Sequence, residues 1–234
     1  MFIGIIGALN FEIEGLKALM ADIEEKTLSG IDFYRGKINN ADVVVAAAGV
    51  GKVNAAVCAQ TMILMYNPDA IINIGVAGGL SEGLKIGDIA IADAVVEHDM
   101  DTTATGDPLG YIYGIEMVKM QCDKKMADVM EKAVLTVGTM GVERGIIASG
   151  DQFISTHEQR DKIINNFAAI AAEMEGASIG HVCTMNKVPF AVLRAISDGA
   201  NDSSPVDFEV FAKTAAENSI KIISEFLKNI KEVY

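Results

Sequence analysis

The sequence predicts an α/β fold in which helices flank a mixed β-sheet, and two observations predict it. Runs of Val, Ile and Ala recur along the chain without polar alternation, as in strands that are buried on both faces. Stretches with helical periodicity alternate with those runs, which is typical of α/β folds. With 234 residues, half of them hydrophobic, the chain can bury one large core. We therefore expect a single domain over residues 1–234.

Each element of the first half has a local signal. Apolar runs mark the strands, a helical period marks the helices, and the pair Asn39-Asn40 marks a hairpin turn. In order, these signals predict a strand over 2–8, a helix over 10–20, hairpin strands over 32–38 and 42–46, a helix from Gly49 to about Tyr66, a strand over 69–74 that Gly75–Gly79 breaks, and a strand over 88–96.

The second half begins with residues 99–120, which are polar, contain Gly and Pro and have no regular period. A loop of that length in a compact domain is usually functional or mobile. Beyond it, the same signals predict a helix over 124–137, a strand over 145–149, a helix over 156–165, a strand over 168–172, a helix over 176–185, a strand over 188–196 and an amphipathic helix over 207–231.

Charge and composition argue against several classes of function. The formal net charge is −13, so the surface repels nucleic-acid phosphates and anionic membranes, and we expect neither as a partner. No apolar run approaches the roughly 18 residues of a membrane-spanning helix. The apolar N-terminus lacks a basic leader and predicts a first strand instead of a signal peptide. Three widely spaced Cys favour reduced thiols in a cytoplasmic protein.

Three carboxylates stand where predicted strands end, namely Glu12, Glu175 and Asp198. A carboxylate at the mouth of a buried strand loses hydration, so it needs partners or a task. For any one of them, a helix cap or a salt bridge is the commoner explanation. Three together, beside the glycine-rich segment Gly75–Gly79, predict an acid/base site at the strand ends, where α/β sheets bind ligands.

The remaining motifs point to no cofactor and no metal. The segment Gly49–Asn54 differs from a phosphate loop, because Val53 follows its lysine and Ala46 stands where that motif begins with glycine. The three His and three Cys show no metal-ligand spacing, and a Gly-x-Ser-x-Gly elbow is absent.

In seven segments, in order along the chain, the sequence resembles the purine nucleoside phosphorylase/uridine phosphorylase superfamily. Those segments are Ile3–Ala8 with Glu12, Gly49–Ala55, Asn73–Gly79, Gly87–Ile89, Ser149–Ile154, Glu173–Ala177 and Arg194–Asp198. Within the superfamily, the chain is most similar to the branch that hydrolyses 5′-methylthioadenosine and S-adenosylhomocysteine. The resemblance implies a three-layer α/β/α domain around a twisted mixed sheet, small adenine nucleoside thioethers as ligands, and a homodimer.

The resemblance also implies roles for matching residues. Breaking an N-glycosidic bond to adenine needs an acid for the base and a base for the attacking water. By resemblance, Asp198 is the acid, Glu12 activates the water, and Arg194 holds the water and balances the carboxylates. The substrate-binding residues that it implies are Glu175, Met174 and Gly78 at the ribose, Phe153 and Ile154 at the adenine, Leu9, Val50 and Phe208 at the 5′ substituent, and Val76 and Ser197 in the same site.

Two positions depart from the family pattern. Val76 stands where relatives often carry Ser near the attacking water. Thr105 stands where the loop that reaches the partner subunit's site commonly has Phe. We expect loop 99–120 to lie near the partner's site, so these departures bear on the choice of 5′ substituent more than on the reaction.

Three alternatives stay open at this point. A phosphorolytic relative needs a cationic phosphate cradle, yet no Arg precedes Arg35, and Glu12 would repel an anion. A nucleoside-binding relative without catalysis would not need all three carboxylates. A nucleosidase for futalosine or a deoxyadenosine would differ only in the pocket for the 5′ substituent.

Overall fold

A computed structural model describes residues 1–138, 140–201 and 203–233 of the chain. Over these residues, ten strands form one mixed sheet and six α-helices cover it. The strands are β1 (Phe2–Gly7), β2 (Ala21–Leu28), β3 (Ile31–Ile38), β4 (Ala41–Ala47), β5 (Ala70–Gly79), β6 (Ile89–Glu97), β7 (Met120–Gln121), β8 (Val142–Ser149), β9 (Ala169–Glu173) and β10 (Phe190–Asp198). The helices are α1 (Asn10–Leu19), α2 (Lys52–Tyr66), α3 (Lys124–Val137), α4 (His157–Phe167), α5 (Gly176–Asn186) and α6 (Ser204–Lys228).

Half of the sheet closes on itself. The strands β5, β10, β6, β8 and β9 pair in a ring, and β1, β4, β3 and β2 extend from β5 as an open wing. Closure brings the carboxyl ends of β5, β9 and β10 together, since Gly78 pairs with both Ala172 and Asp198. This is the end of the sheet at which the sequence predicts a site.

The central strands β1, β5 and β10 are buried on both faces, which explains why they are apolar without alternation. Ile5 and Ile72 belong to the core shared with α1, α3 and α6. Their chain neighbours, Ile6 and Ile71, belong to the core shared with α2 and α5. The predicted three-layer α/β/α arrangement is therefore confirmed. In the described part of the chain, no helix is both long and apolar enough to span a bilayer.

The structure differs from the predicted elements in three informative places. Strand β2 was not predicted, because it is an exposed edge strand with no buried apolar run to announce it. The predicted break at Gly75–Gly79 is wrong, since those residues keep their ladder pairing with β10 and β9 to the end of β5. Helix α2 begins at Lys52 instead of Gly49, because Gly49 and Gly51 have φ values of +88° and +97°.

Candidate active site

A cavity of about 580 Å³ opens at the joined carboxyl ends of β5, β9 and β10. Every predicted site residue except Arg194 lines it, although these residues come from distant parts of the chain. The full lining, which adds residues that the sequence did not single out, is Ala8, Leu9, Glu12, Val50, Val76, Ala77, Gly78, Gln152, Phe153, Ile154, Ala172, Glu173, Met174, Glu175, Ser197, Asp198, Pro205, Phe208 and Glu209.

Glu12 lies in the first turn of α1, and its carboxylate turns back over the start of the helix. Its Oε2 accepts hydrogen bonds from the backbone amides of Ala8 (2.7 Å) and Leu9 (2.8 Å), and Oε1 accepts one from the amide of Val76 (3.1 Å). Burial raises the pKa of Glu12 above its ordinary value, against the opposing effect of Arg194 and of the three amides. A base with a raised pKa retains more proton affinity near neutrality, which suits general-base catalysis.

Glu175 is the residue from which α5 starts, and its side chain does not cap that helix. Its Oε1 instead accepts a hydrogen bond from the amide of Gly51 (2.9 Å), and its Oε2 lies 3.5 Å from Nη2 of Arg194. Burial raises the pKa of Glu175 to about 7; Arg194 opposes this rise, and the negative charges of Glu173 and Glu12 add to it. The carboxylate is therefore held in place from behind and faces the cavity with unused acceptor positions.

Arg194 is the central cation, and it lies behind the wall of the cavity. It is only 1% exposed, and its Nη2 contacts the side-chain oxygens of Asn73 and Glu173. The carbonyl of Ile74 lies 3.5 Å from Nη1, and the buried Nε has no hydrogen-bond partner among the described residues, so Nη2 makes the close contacts of the guanidinium. This geometry supports the predicted role of Arg194 in balancing carboxylates. Its predicted role in holding a water stays a prediction.

Gly75 explains why a glycine follows the buried run of β5. A Cβ atom at this position would lie 2.6 Å from Oε1 of Glu12, and it would also collide with Arg194. Glycine therefore leaves room for the carboxylate and the guanidinium, which both occupy the place that a side chain at this position would take.

Asp198 ends β10 and is almost completely buried. Its Oδ2 accepts a hydrogen bond from the hydroxyl of Ser197 (2.9 Å), and its Oδ1 accepts one from the amide of Ala200 (2.9 Å). The register shift between Ile196 and Asp198 aligns Asp198 with Gly78, where a Cβ atom would lie 3.0 Å from Oδ1. The carboxyl group thus has a fixed orientation at the wall of the cavity.

Apart from Gln152, Glu173 and Glu209, the rest of the wall is mostly apolar and includes two aromatic rings. Phe153 and Phe208 meet edge to face with their centroids 5.7 Å apart. Phe153 is 42% exposed, so its ring is partly available to a flat ligand. The predicted positions Leu9, Val50 and Met174 also belong to the lining. Such a wall suits a ligand that carries a flat ring and an apolar substituent.

The two departures from the family pattern have different surroundings. Val76 lines the cavity and holds Glu12 through its backbone amide. Thr105 lies in a short 3₁₀ turn outside that lining, and its hydroxyl oxygen lies 2.7 Å from the carbonyl oxygen of Thr102 and 2.9 Å from Oδ2 of Asp107. Within one subunit, loop 99–120 therefore does not use Thr105 to complete the site.

Sequence reasoning missed two residues that hold the site together, Glu173 and Gly51. Glu173 lines the cavity and contacts Arg194, and the amide of Gly51 holds Glu175. Glu173 shares its segment with Glu175, which was the only signal that could have identified it. The role of Gly51 could not be identified from the sequence, because every residue except proline carries a backbone amide. Among the described residues, no group of three or more His, Cys, Asp or Glu has an arrangement that could hold a metal ion.

Comparisons with known proteins agree with this geometry. The model of the phosphorylase superfamily matches residues 2–228. A 5′-methylthioadenosine/S-adenosylhomocysteine nucleosidase of Shewanella loihica is 40% identical over 98% of this chain and 100% of its own length. The structure of such a nucleosidase from Neisseria meningitidis, in complex with methylthio-immucillin-A, has a TM-score of 0.95 and 35% identity, covering 97% of this chain and 99% of that one. Futalosine hydrolase of Helicobacter pylori has a TM-score of 0.93 and 33% identity, covering 98% of each chain.

Proposed function

The chain belongs to the phosphorylase superfamily, and from this premise we propose the reaction of the cavity and the residues that perform it. The chain hydrolyses the N-glycosidic bond of 5′-methylthioadenosine and S-adenosylhomocysteine, releasing adenine and the 5-thio-substituted ribose. One observation carries the choice of hydrolysis: the described lining of the cavity contains five carboxylates and neither Lys nor Arg. Carboxylates provide acid/base catalysis, whereas bound phosphate would need cations.

Asp198 is the general acid in this proposal. Cleavage moves the electrons of the glycosidic bond into adenine, which leaves readily only if it gains a proton. Asp198 protonates the five-membered ring of the purine, and its position on the wall of the cavity supports that role. The hydrogen bonds from Ser197 and Ala200 support it further, because they fix the direction in which the carboxyl group points.

Glu12 is the general base that orients and activates the attacking water. Its three amide donors hold the carboxylate still, and its raised pKa improves its affinity for the water's proton. Its negative charge also favours the positively charged ribosyl group that develops as the bond breaks. Arg194, which balances the carboxylates, keeps this anion from becoming too costly to bury.

The remaining residues divide the cavity into subsites. Glu175 accepts hydrogen bonds from the ribose hydroxyls, because Gly51 and Arg194 hold it with acceptor capacity to spare. The other assignments follow the sequence: Met174 and Gly78 at the ribose, Phe153 and the backbone of Ile154 at the adenine, Leu9, Val50 and Phe208 at the 5′ substituent, and Val76 and Ser197 beside the catalytic carboxyls.

A homodimer completes the proposed assembly. Helix α2 exposes a stripe formed by Val53, Val57 and Leu64, which are 74%, 41% and 72% exposed and share one helical face. Exposed apolar stripes of this kind mark association surfaces. A second copy of the chain covers this stripe, and loop 99–120 of each subunit lies near the partner's cavity.

We also propose a cytoplasmic location. The three cysteines, Cys58, Cys122 and Cys183, are all buried free thiols. Such usage of cysteine is typical of proteins in a reducing compartment. Fractionation of cells that express the tagged chain tests this location, and a secreted product would contradict it.

Release of the free purine base in phosphate-free buffer tests the reaction. Adenine is measured for methylthioadenosine, S-adenosylhomocysteine and 5′-deoxyadenosine, and hypoxanthine for futalosine and inosine, each with and without added phosphate. We expect release from the two thioethers without phosphate and no increase when phosphate is added. A strong increase would assign the cavity to phosphorolysis, and binding without release would assign it to a nucleoside-binding protein.

The variant Asp198→Asn tests the assignment of the acid. Loss of a general acid lowers kcat by about 10²–10⁴-fold. The matched control is Asp161→Asn, which makes the same chemical change on the exposed face of α4. An Asp198→Asn variant with the kcat of the wild type would overturn the proposed role.

A further inference from the structure

Glu173 is buried against the cavity, yet the proposed reaction gives it no part. Its Oε2 accepts hydrogen bonds from the amides of Glu175 (3.0 Å) and Gly176 (2.7 Å) and contacts Nη2 of Arg194. Its Oε1 accepts a hydrogen bond from the hydroxyl of Ser149. Two carboxylate oxygens offer about four acceptor positions in all, and four protein donors use them. Three of these donors meet Oε2 and one meets Oε1, so the carboxylate of Glu173 is committed chiefly to protein partners.

The donors of Glu173 lie at one place, the amino end of α5. The first amides of a helix have no intrahelical partners, and the side chain of the first residue usually caps one of them. Here that residue is Glu175, and its side chain caps nothing. Glu173 caps the amides of Glu175 and Gly176 in its place, and the hydroxyl of Ser149 accepts from the next amide, that of Ala177 (2.6 Å).

This exchange of caps leaves the side chain of Glu175 available for the cavity. A carboxylate at the start of a helix is attracted to the free amides beneath it. Because Glu173 and Ser149 already occupy those amides, the carboxylate of Glu175 reaches across to the amide of Gly51. Glu173 also holds the guanidinium of Arg194, which in turn lies 3.5 Å from Oε2 of Glu175.

We propose that Glu173 is a positioning residue for ribose recognition, which caps α5 in place of Glu175 and anchors Arg194 so that Glu175 faces the cavity. This inference rests on the proposed function, in which Glu175 accepts hydrogen bonds from the ribose hydroxyls. Glu173 itself touches no substrate. We expect its removal to harm the reaction chiefly through Glu175, and to a smaller extent through the Arg194 that it also anchors.

The charges around Glu175 give a second way to test its contact with Glu173. The charged groups that face Glu175 are Glu12 from α1, Glu173 from β9 and Arg194 from β10, and the amide of Gly51 faces it from the turn before α2. The charge of Glu173 raises the pKa of Glu175. Replacing that charge with a neutral amide therefore lowers this pKa, and Glu175 stays ionised to a lower pH. A carboxylate too far from Glu175 to act on it, such as the exposed Glu14, would leave this titration unchanged when replaced.

The experiment compares variants across two substrates, 5′-methylthioadenosine and its 2′,3′-dideoxy analogue. For Glu173→Gln we expect kcat/KM on methylthioadenosine to fall about tenfold or more, because a hydrogen bond to a charged group is weakened. The loss on the dideoxy analogue should stay under about threefold, since the hydroxyls that Glu175 reads are absent. The acid limb of the kcat/KM profile on methylthioadenosine should shift to lower pH. Glu175→Gln should likewise lower kcat/KM more on methylthioadenosine than on the dideoxy analogue.

Two further variants make the outcome decisive. Glu14→Gln removes an exposed carboxylate of α1 and serves as the matched control. Ser149→Ala removes an uncharged cap of the same network. Its kcat/KM should therefore fall more on methylthioadenosine than on the dideoxy analogue, and the acid limb of its pH profile should not shift. If Glu173→Gln does not fold, as shown by circular dichroism, Ser149→Ala decides by the same comparison of substrates.

The two possible failures are distinguishable. Equal losses on both substrates for Glu173→Gln, or for Ser149→Ala if it must decide, would overturn the positioning role while Glu175→Gln still discriminates. An unshifted acid limb in a folded Glu173→Gln would overturn it too. If Glu175→Gln itself does not discriminate, the proposed ribose role of Glu175 fails, and the inference falls with it.

Discussion

The variant Glu175→Gln should gain stability over the wild type as the pH rises from acid to neutral. The pKa of Glu175 rises from 4.5 to about 7 in the folded protein, chiefly through burial. Below pH 4.5 both the folded and the unfolded chain hold the proton. Between pH 4.5 and 7 only the folded chain retains it, so the free energy of unfolding falls as the pH rises. Above pH 7 both are ionised and the cost is constant.

The size of this cost follows from the shift of the pKa. At about 1.4 kcal/mol for each pH unit, a rise from 4.5 to about 7 costs roughly 3 kcal/mol at neutral pH. Glutamine does not ionise, and its oxygen keeps the hydrogen bond from the amide of Gly51. The variant should therefore gain roughly 3 kcal/mol over the wild type between pH 4 and pH 8, in addition to an offset that does not depend on pH.

Urea unfolding at a series of pH values measures this gain. Far-ultraviolet circular dichroism is the suitable signal, because the chain contains no Trp. The concentration of the chain is held constant, since association would change the apparent stability. Glu14→Gln, an exposed matched control, should change stability by less than about 0.5 kcal/mol throughout. A difference between Glu175→Gln and the wild type that stays flat or shrinks with rising pH would refute the reasoning.

Three other perturbations have expected results. Phe153→Ala loses an aromatic face and the edge contact with Phe208, so it should raise KM about tenfold. Thermal stability should fall only slightly, because the ring is partly exposed. An unchanged KM would remove Phe153 from the adenine subsite. Gly51→Ala should lower kcat/KM and cost about 1–3 kcal/mol in urea unfolding, since φ is +97° and ψ is 163° and the new Cβ would lie 2.9 Å from Asp151; wild-type values in both assays would contradict it. Val57→Asp on the exposed stripe of α2 should give monomers in sedimentation, and a wild type that already sediments as a monomer would contradict the proposed dimer.

Much of the fold could be predicted because its signals are local. Strands β5, β9 and β10 of the closed ring are buried along almost their whole length, so their sequences are nearly continuous apolar runs. Strand β2 lacked such a signal, since its pairing with β3 holds it at the edge of the sheet while its side chains face solvent. The glycines that end β5 predicted a break in the strand that the structure does not have. They usually interrupt strands, but here the neighbouring β10 and β9 complete their ladder.

The residues of the candidate site likewise divide into those that a local sequence signal identifies and those that it does not. Glu12, Glu175 and Asp198 could be singled out because each interrupts or ends an apolar run. The neighbouring Glu173 carries the same side chain two residues earlier, and nothing local indicates which of the pair caps α5 and which faces the cavity. That choice depends on Ser149 and Arg194, which reach Glu173 from β8 and β10.

The sequence by itself determined the layered α/β architecture and the placement of three carboxylates at strand ends, because burial imposes a residue pattern within each element. Only the tertiary structure decided how those carboxylates are held and charged. The amide of Gly51 meets Glu175 across 124 residues, and the amide of Val76 meets Glu12 across 64. Such contacts arise from the order and register of strands, which depend on the packing of the whole sheet and leave no periodic trace in any one segment.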